Sequence, residues 1–201
     1  MSDQERWEER YRTGDTPWDI GRPDFNLIDM VTKRPIPAGK ALEIGCGAGS
    51  NAVWLAQQNF QATATDVSEL AIQKAGERAS DAGVDCTFLV ADFLNDKVPG
   101  APFGLVFDRG CFHSFDSDEE RKQLAENVDW HLERDGLWLS LIGSTDGPPR
   151  EVGPPQRSAR DIVIAVEPYF EILSLDSSHF DADSSEPPRN WVCLMRKRGK
   201  T

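Results

Sequence analysis

The sequence predicts an α/β fold: a doubly wound, mostly parallel seven-stranded sheet with helices on both faces. Two observations carry this expectation. Short apolar runs alternate with segments of helical spacing along most of the chain, the pattern of strand–helix units that build a parallel sheet. The first such run, 41–45, passes straight into Gly45-Cys46-Gly47-Ala48-Gly49 and then into Ala52-Val53-Trp54-Leu55-Ala56. That stretch reads as strand, tight turn and helix. Its glycines let the backbone turn and let a ligand approach with no Cβ in the way. The helix start behind them presents backbone N–H groups.

In chain order, residues 3–12 read as a helix with Trp7 and Tyr11 on one face at i, i+4. Residues 13–23 hold two prolines and two glycines and read as a loop that carries Trp18. A second amphipathic helix spans 24–33, started by Pro23 and Asp24 and ended by Pro35-Ile36-Pro37. Strand one covers 41–45 with its helix at 50–58, and strand two covers 61–66. Ser68 caps a helix that runs to about Ala82 and stops at Gly83. Strands three, four and five follow at 86–90, 103–107 and 137–142, with a helix over 118–134 before the fifth. Residues 143–157 form a long loop with four prolines and three glycines; loops of that length are usually functional or disordered. A helix at 158–166, a strand at 170–175, a polar stretch at 181–189 and a last strand at 191–195 complete the pattern. The basic tail 196–200 reads as solvated end residues.

Composition narrows the function classes. The 201 residues suit a single domain, 1–201, with residues 1–23 as an N-terminal helix and lid segment and 38–198 as the doubly wound core. No apolar run approaches the roughly 20 residues of a membrane helix. The acidic, polar residues 1–5 do not resemble a signal or transit peptide, which points to the cytoplasm. A formal charge of −12 argues against nucleic-acid and anionic-membrane partners. Cys46, Cys86, Cys111 and Cys193 lack metal-type spacing and read as free thiols, largely buried. His113, His131 and His179 are too scattered for a metal cluster, so no metal is expected.

The glycine turn alone serves several nucleotide-like ligands. Its spacing separates it from the Gly-x-Gly-x-x-Gly of dinucleotide dehydrogenases: the third glycine comes one residue early and an acid, Glu43, precedes the first. Asp66 ends the second apolar run, with Val67 beside it, and an acid there can accept from both hydroxyls of a ribose. Leu42–Asn51 together with Asp66 resembles the first two motifs of class I S-adenosylmethionine-dependent methyltransferases. That resemblance implies a Rossmann-like sheet of order 3-2-1-4-5-7-6, with strand seven antiparallel. It places Gly45, Gly47 and Gly49 under the methionine part of the cofactor and Asp66 on the ribose. Asp92 and Phe93, after strand three, resemble the adenine-binding motif of the family; the other reading is an ordinary strand-end turn.

Three further patterns are similar to the thiopurine and thiol methyltransferase branch. Trp7-x-x-x-Tyr11-x-x-Gly14-x-Thr16-Pro17-Trp18-Asp19 matches a segment that folds over the cofactor and walls the substrate pocket, which implies that Trp7 and Trp18 face cofactor or substrate. The alternative is a helix with its aromatics in the core. Asp108-Arg109-Gly110 matches the motif after strand four and implies that Asp108 and Arg109 lie at the methionine end of the cofactor, with Arg109 also near the acceptor. A strand-end salt bridge is the plainer reading of Arg109. Gly153-Pro154-Pro155 matches a motif near the pocket mouth, but Gln156 stands where an aromatic is usual. His113 can serve as a general base or cap the turn that follows.

The resemblance thus implies methyl transfer from S-adenosylmethionine to a small-molecule acceptor, a thiol or another heteroatom nucleophile, by in-line displacement. Arg109 and His113 are the catalytic candidates. A non-catalytic S-adenosylmethionine-binding protein and a nicotinamide-dependent oxidoreductase are the alternatives.

Overall fold

The computed structural model describes residues 2–34, 36–148 and 153–199. Among them it forms a seven-stranded, mostly parallel sheet and six α-helices. Pro35, expected to end the second helix, and 149–152 of the long loop lie outside the described residues, as does Lys200 of the tail. The strands are β1 (Lys40–Ile44), β2 (Gln61–Asp66), β3 (Thr87–Val90), β4 (Phe103–Arg109), β5 (Leu132–Gly143), β6 (Phe170–His179) and β7 (Arg189–Lys197). Their order is β3-β2-β1-β4-β5-β7-β6. β7 runs antiparallel to both β5 and β6. This is the order and the sense that the resemblance implied. The chain divides into two compact units, one through Val98 and one from Pro99.

In the first unit, α1 (Asp3–Thr13) starts at a capping box: Ser2 accepts from the Glu5 N–H, and Glu5 accepts from the Ser2 N–H. Gly14 ends it in the left-handed region, at φ 75°. α2 (Phe25–Lys33) is capped by Asp24 and buries Leu27 and Met30. β1 is buried along Ala41–Ile44, as a central parallel strand must be. α3 (Ser50–Gln57) and α4 (Glu69–Ala82) follow β1 and β2. Small residues let helix and sheet approach: Ala52, Ala64, Ala71 and Ala75 have no exposed surface.

In the second unit, Trp138 of β5 is fully buried between Phe170, at 5.3 Å, and Phe112, at 6.2 Å. α5 (Asp118–His131) and α6 (Ala159–Val166) both begin at serine capping boxes. The expected helix over 118–134 ends three residues early. Leu132 pairs with Phe103 instead, so β5 begins directly after α5. Asp135 at φ 62° then re-aims the strand before Gly136. A helical spacing over Leu132-Glu133-Arg134 does not reveal that pairing, because the partner lies 29 residues away.

Candidate active site

Strand register gathers the glycine turn and the two downstream acids at one edge of the first unit. Ile44 pairs with Thr65, so Gly45 follows level with Asp66; Asp66 in turn pairs with Val90, two residues before Asp92. This edge lies outside the carboxyl ends of the strands, where open α/β sheets bind ligands.

The turn itself needs its glycines. Gly45, Gly47 and Gly49 all have positive φ, 64°, 54° and 80°. A Cβ on Gly49 would lie 2.7 Å from the Ala75 Cβ, and one on Gly47 would lie 2.6 Å from the Tyr11 hydroxyl oxygen. Gly49 is the N-cap of α3 and offers no side chain to the first helical N–H groups, which leaves that end able to receive an anionic or polar ligand group.

Asp66 braces the turn. One carboxylate oxygen accepts from the Gly47 N–H at 2.9 Å and the other from the Ser68 N–H at 3.0 Å. Burial raises its carboxyl above the usual range, and N–H groups including that of Val67 pull it back. A carboxylate has room for about four hydrogen bonds, so it can still accept from a ribose. Glu43 is buried behind the turn. It accepts from the Asn51 amide at 2.9 Å, and Asn51 accepts from the Asp24 N–H at 2.9 Å. The acid before the glycines therefore ties β1, α3 and the start of α2 together.

The Asp92 carboxylate accepts from the Leu94 N–H and the Asn95 amide. That is the strand-end turn reading of this residue, and it leaves acceptor capacity for an amino group. The Phe93 side chain is buried.

The N-terminal segment lies over the glycine turn. Trp7 meets Trp18 edge-on at 5.3 Å, and the Trp18 indole N–H donates to the Tyr11 hydroxyl at 3.1 Å. The Arg10 guanidinium stacks on Trp18 at 4.3 Å. Two polar ties that the sequence did not reveal hold the segment. Glu8 accepts from the Ser68 hydroxyl at 2.6 Å, joining α1 to the cap of α4. Arg78 of α4 donates to the Ala48 carbonyl and the Ser50 hydroxyl, and also bonds Asp19 at 3.2 Å. One guanidinium thus clasps the glycine turn to the Trp18 loop. Charged residues on helices rarely signal such a role, because solvated ones look the same in sequence.

In the second unit, the tip of β4 carries Arg109. Its guanidinium donates to the Asp181 carbonyl at 2.7 Å and lies over the Phe180 ring at 5.1 Å. Phe180 also meets the His113 ring edge-on at 5.8 Å. Phe180 and Asp181 sit at the edge of the stretch expected to be merely polar; no local motif marks them.

Asp108 departs from its expected cofactor-binding role. Its side chain is fully buried, accepting from the Phe112 N–H at 3.1 Å and the Trp138 indole N–H at 2.9 Å. Burial pushes its carboxyl up to about 6. It anchors the β4 tip to β5 rather than facing a ligand.

His113 resolves toward structure as well. Its Nδ1 accepts from the Gly143 N–H at 2.8 Å, so the neutral ring carries its proton on Nε2. Burial, then the positive charges of Arg157 and Arg109, lower its pKa to about 3. A ring with its bare nitrogen occupied and its charged form so disfavoured is a poor proton acceptor. Pro155, of the expected Gly-Pro-Pro motif, presses its carbonyl against Gly143, and Gln156 donates to the Ser144 carbonyl.

The first-unit edge suits an adenosyl group: backbone N–H groups at a helix start, a carboxylate for a diol, and aromatic side chains lying over the turn. Known proteins agree. Residues 41–136 match the methyltransferase domain family. Thiocyanate methyltransferase 1 of Brassica oleracea is 32% identical over 172 residues, covering 83% of this chain and 70% of that one. The probable thiol methyltransferase 2 of Arabidopsis thaliana is 30% identical over 152 residues, covering 73% and 66%. A solved structure from work on the conversion of a disulfide bond into a thioacetal group during echinomycin biosynthesis superposes with a TM-score of 0.85 at 25% identity, covering 98% of this chain and 92% of that one. The chain belongs to the class I S-adenosylmethionine-dependent methyltransferases.

Proposed function

We propose that this methyltransferase alkylates a small-molecule thiol, with the whole chain acting as one catalytic domain and residues 1–23 as its lid. Bound S-adenosylmethionine supplies a methyl group already activated on a sulfonium centre. The protein has then to bind, orient and exclude water. The Gly45–Gly49 turn receives the methionine part, Asp66 with Val67 the ribose, and Asp92 with the Phe93 backbone the adenine. Trp7 and Trp18 form the aromatic wall, which suits a cation that loses its charge during transfer. Arg109 orients the acceptor.

The observation that carries the choice of a thiol is the state of His113. Held neutral and hydrogen-bonded at Nδ1, it does not supply a strong base, so the acceptor has to ionise by itself. A thiol does this near pH 8.5, a phenol only near 10. The names of the two plant relatives point the same way. Among the described residues no helix is long and apolar enough to cross a membrane, and all four cysteines are free thiols, which supports a reducing, cytoplasmic setting.

A screen of radiolabelled methyl transfer to thiols, phenols, quinols and metalloid oxyanions tests the proposal. Thiols are expected to give the highest kcat/KM, with a rate that follows the thiol's own ionisation. Preference for a phenol or an oxyanion overturns the acceptor assignment. No transfer to any class, with cofactor binding intact, favours a binding protein instead.

A further inference from the structure

Asn190, near the start of β7, is fully buried, yet neither its side-chain oxygen nor its nitrogen has a hydrogen-bond partner. Among the described residues it is the only side chain that leaves two buried polar atoms unbonded. Such a group is unfavourable and calls for an explanation. Strand register supplies its place. Arg109 at the tip of β4 pairs with Leu141, and two residues further along β5 Gly143 pairs with Asn190. Asn190 therefore stands at the carboxyl edge of β4 and β5, where open α/β sheets bind ligands. Gly143 gives its N–H to His113, and its carbonyl accepts from the Arg157 N–H. The Gly143–Asn190 pair is thus of the non-hydrogen-bonded kind, in which facing residues come closest, at about 4.5 Å between Cα atoms. A Cβ on Gly143 would lie 3.4 Å from His113 Nδ1. Facing residues project to the same side of a sheet, so the Asn190 carboxamide shares its side with the His113 ring. Phe180 meets that ring and donates its N–H to the Pro188 carbonyl, just ahead of β7. Arg109 lies over Phe180. Asn190 and Arg109 thus belong to one corner of the second unit.

The chemistry of a carboxamide says what would satisfy it. It offers both a hydrogen-bond donor and an acceptor. A carboxylate would use the nitrogen and leave the oxygen idle. An alkyl chain would use neither. A neutral group with an N–H beside a C=O uses both. The nearby guanidinium groups do not demand an anion, because Arg157 already holds Asp116 at 2.7 Å and Arg109 donates to the Asp181 carbonyl. We propose that Asn190 is a specificity-determining residue of the substrate site: its carboxamide pairs with a neutral amide on the thiol, by one hydrogen bond in each direction. This rests on the thiol reading and narrows it to amide-bearing thiols. A site with buried polar groups rejects an analogue that leaves them unpaired. The same residue is a burden on the empty fold, so an apolar replacement of similar size relieves the protein while it harms selection of the substrate.

Methyl transfer to three thiols, in wild type and in Asn190→Leu, separates this from a packing role. N-Acetylcysteamine carries a neutral amide, pentanethiol has the same chain length without one, and mercaptobutyrate ends in a carboxylate. Each thiol is compared with itself in the two proteins, so differences in ionisation cancel. Asn190→Leu is expected to lower kcat/KM for N-acetylcysteamine by roughly ten- to a hundredfold, the range for two hydrogen bonds, and to leave pentanethiol within about twofold of wild type or above it. The urea midpoint of the variant is expected to be unchanged or raised. Equal changes for N-acetylcysteamine and pentanethiol, or no change for either, overturn the proposal. So does a lowered midpoint with all rates reduced, which would make the carboxamide a structural group. A wild type that prefers mercaptobutyrate overturns the choice of an amide. Wild-type protein that methylates no thiol yet binds S-adenosylhomocysteine refutes the thiol reading itself, which is a different failure.

Discussion

The edge of the first unit and the β4 tip of the second both present acids, aromatics and glycines, yet the two use them differently. At the glycine turn, polar groups keep unused bonding capacity: Asp66 has acceptor capacity left, the start of α3 has no side-chain cap, and the Tyr11 proton has no acceptor among the described residues. At the β4 tip they face inward: both oxygens of Asp108 take core N–H groups, and His113 Nδ1 holds Gly143. A motif match alone does not separate these cases. The difference teaches that an acid or a histidine beside a strand end is a ligand group only where the fold has not already supplied its partners.

The largest effect is expected at Gly47. Gly47→Val forces a branched side chain into a positive-φ position and against the Tyr11 hydroxyl. Strain of ~1–3 kcal/mol for the backbone alone, plus the displaced lid, is expected to weaken S-adenosylhomocysteine by about a hundredfold or more. Near-native affinity on titration would show that Tyr11 and the turn are not coupled.

The second effect falls on stability rather than binding. Asp108→Ala leaves the Trp138 and Phe112 N–H groups buried without an acceptor. At ~1–3 kcal/mol for each, the urea midpoint is expected to fall by the equivalent of about 2–6 kcal/mol. An unchanged midpoint would mean that Asp108 is not the anchor described above.

The smallest effect is expected at His113, and it sharpens the contrast most. His113→Asn keeps a hydrogen-bond acceptor near Nδ1, so turnover is expected to stay within about threefold; a general base would lose about 10²–10⁴-fold. The sign of its pH effect follows from linkage. The folded state resists the proton, with a pKa of about 3, whereas the unfolded chain takes it up near 6.5. The contribution of His113 to stability is therefore full above about pH 6.5 and is lost as pH falls toward 3. Asp108 opposes this. Its pKa, raised from 3.8 to about 6, gives stability at low pH that is lost as pH rises through that value. The histidine's displacement is the larger, so wild-type protein is expected to lose stability on acidification below pH 6.5. His113→Asn should flatten that limb in a thermal-shift series.

Much of the fold was legible because its signals are local. The apolar runs, the glycine turn, and the caps at Asp24, Ser68 and Gly83 each depend on a few adjacent residues. The join of α5 and β5 was not, since Leu132 is placed by Phe103 and not by its neighbours. In the site, Gly45–Gly49 and Asp66 were legible from spacing, and strand register brings them together. Glu8, Asn51, Arg78, Phe180 and Asp181 were not. Each acts through a partner distant in sequence; Asn51, which also reaches Glu43 across the turn, holds the Asp24 N–H. Asp108 and His113 had the right sequence context, and only burial and hydrogen bonding reveal where their side chains are engaged.

The most direct test of this division of labour is one paired measurement: S-adenosylhomocysteine affinity by calorimetry, and kcat/KM for the best thiol, in Asp66→Ala and in Arg109→Ala. Asp66→Ala is expected to weaken the cofactor at least about tenfold, whereas Arg109→Ala leaves cofactor affinity within about twofold and lowers kcat/KM for the thiol at least about tenfold. Cofactor affinity untouched by Asp66→Ala, or absent from the wild type at millimolar ligand, would contradict the assignment of the glycine-turn edge as the cofactor site.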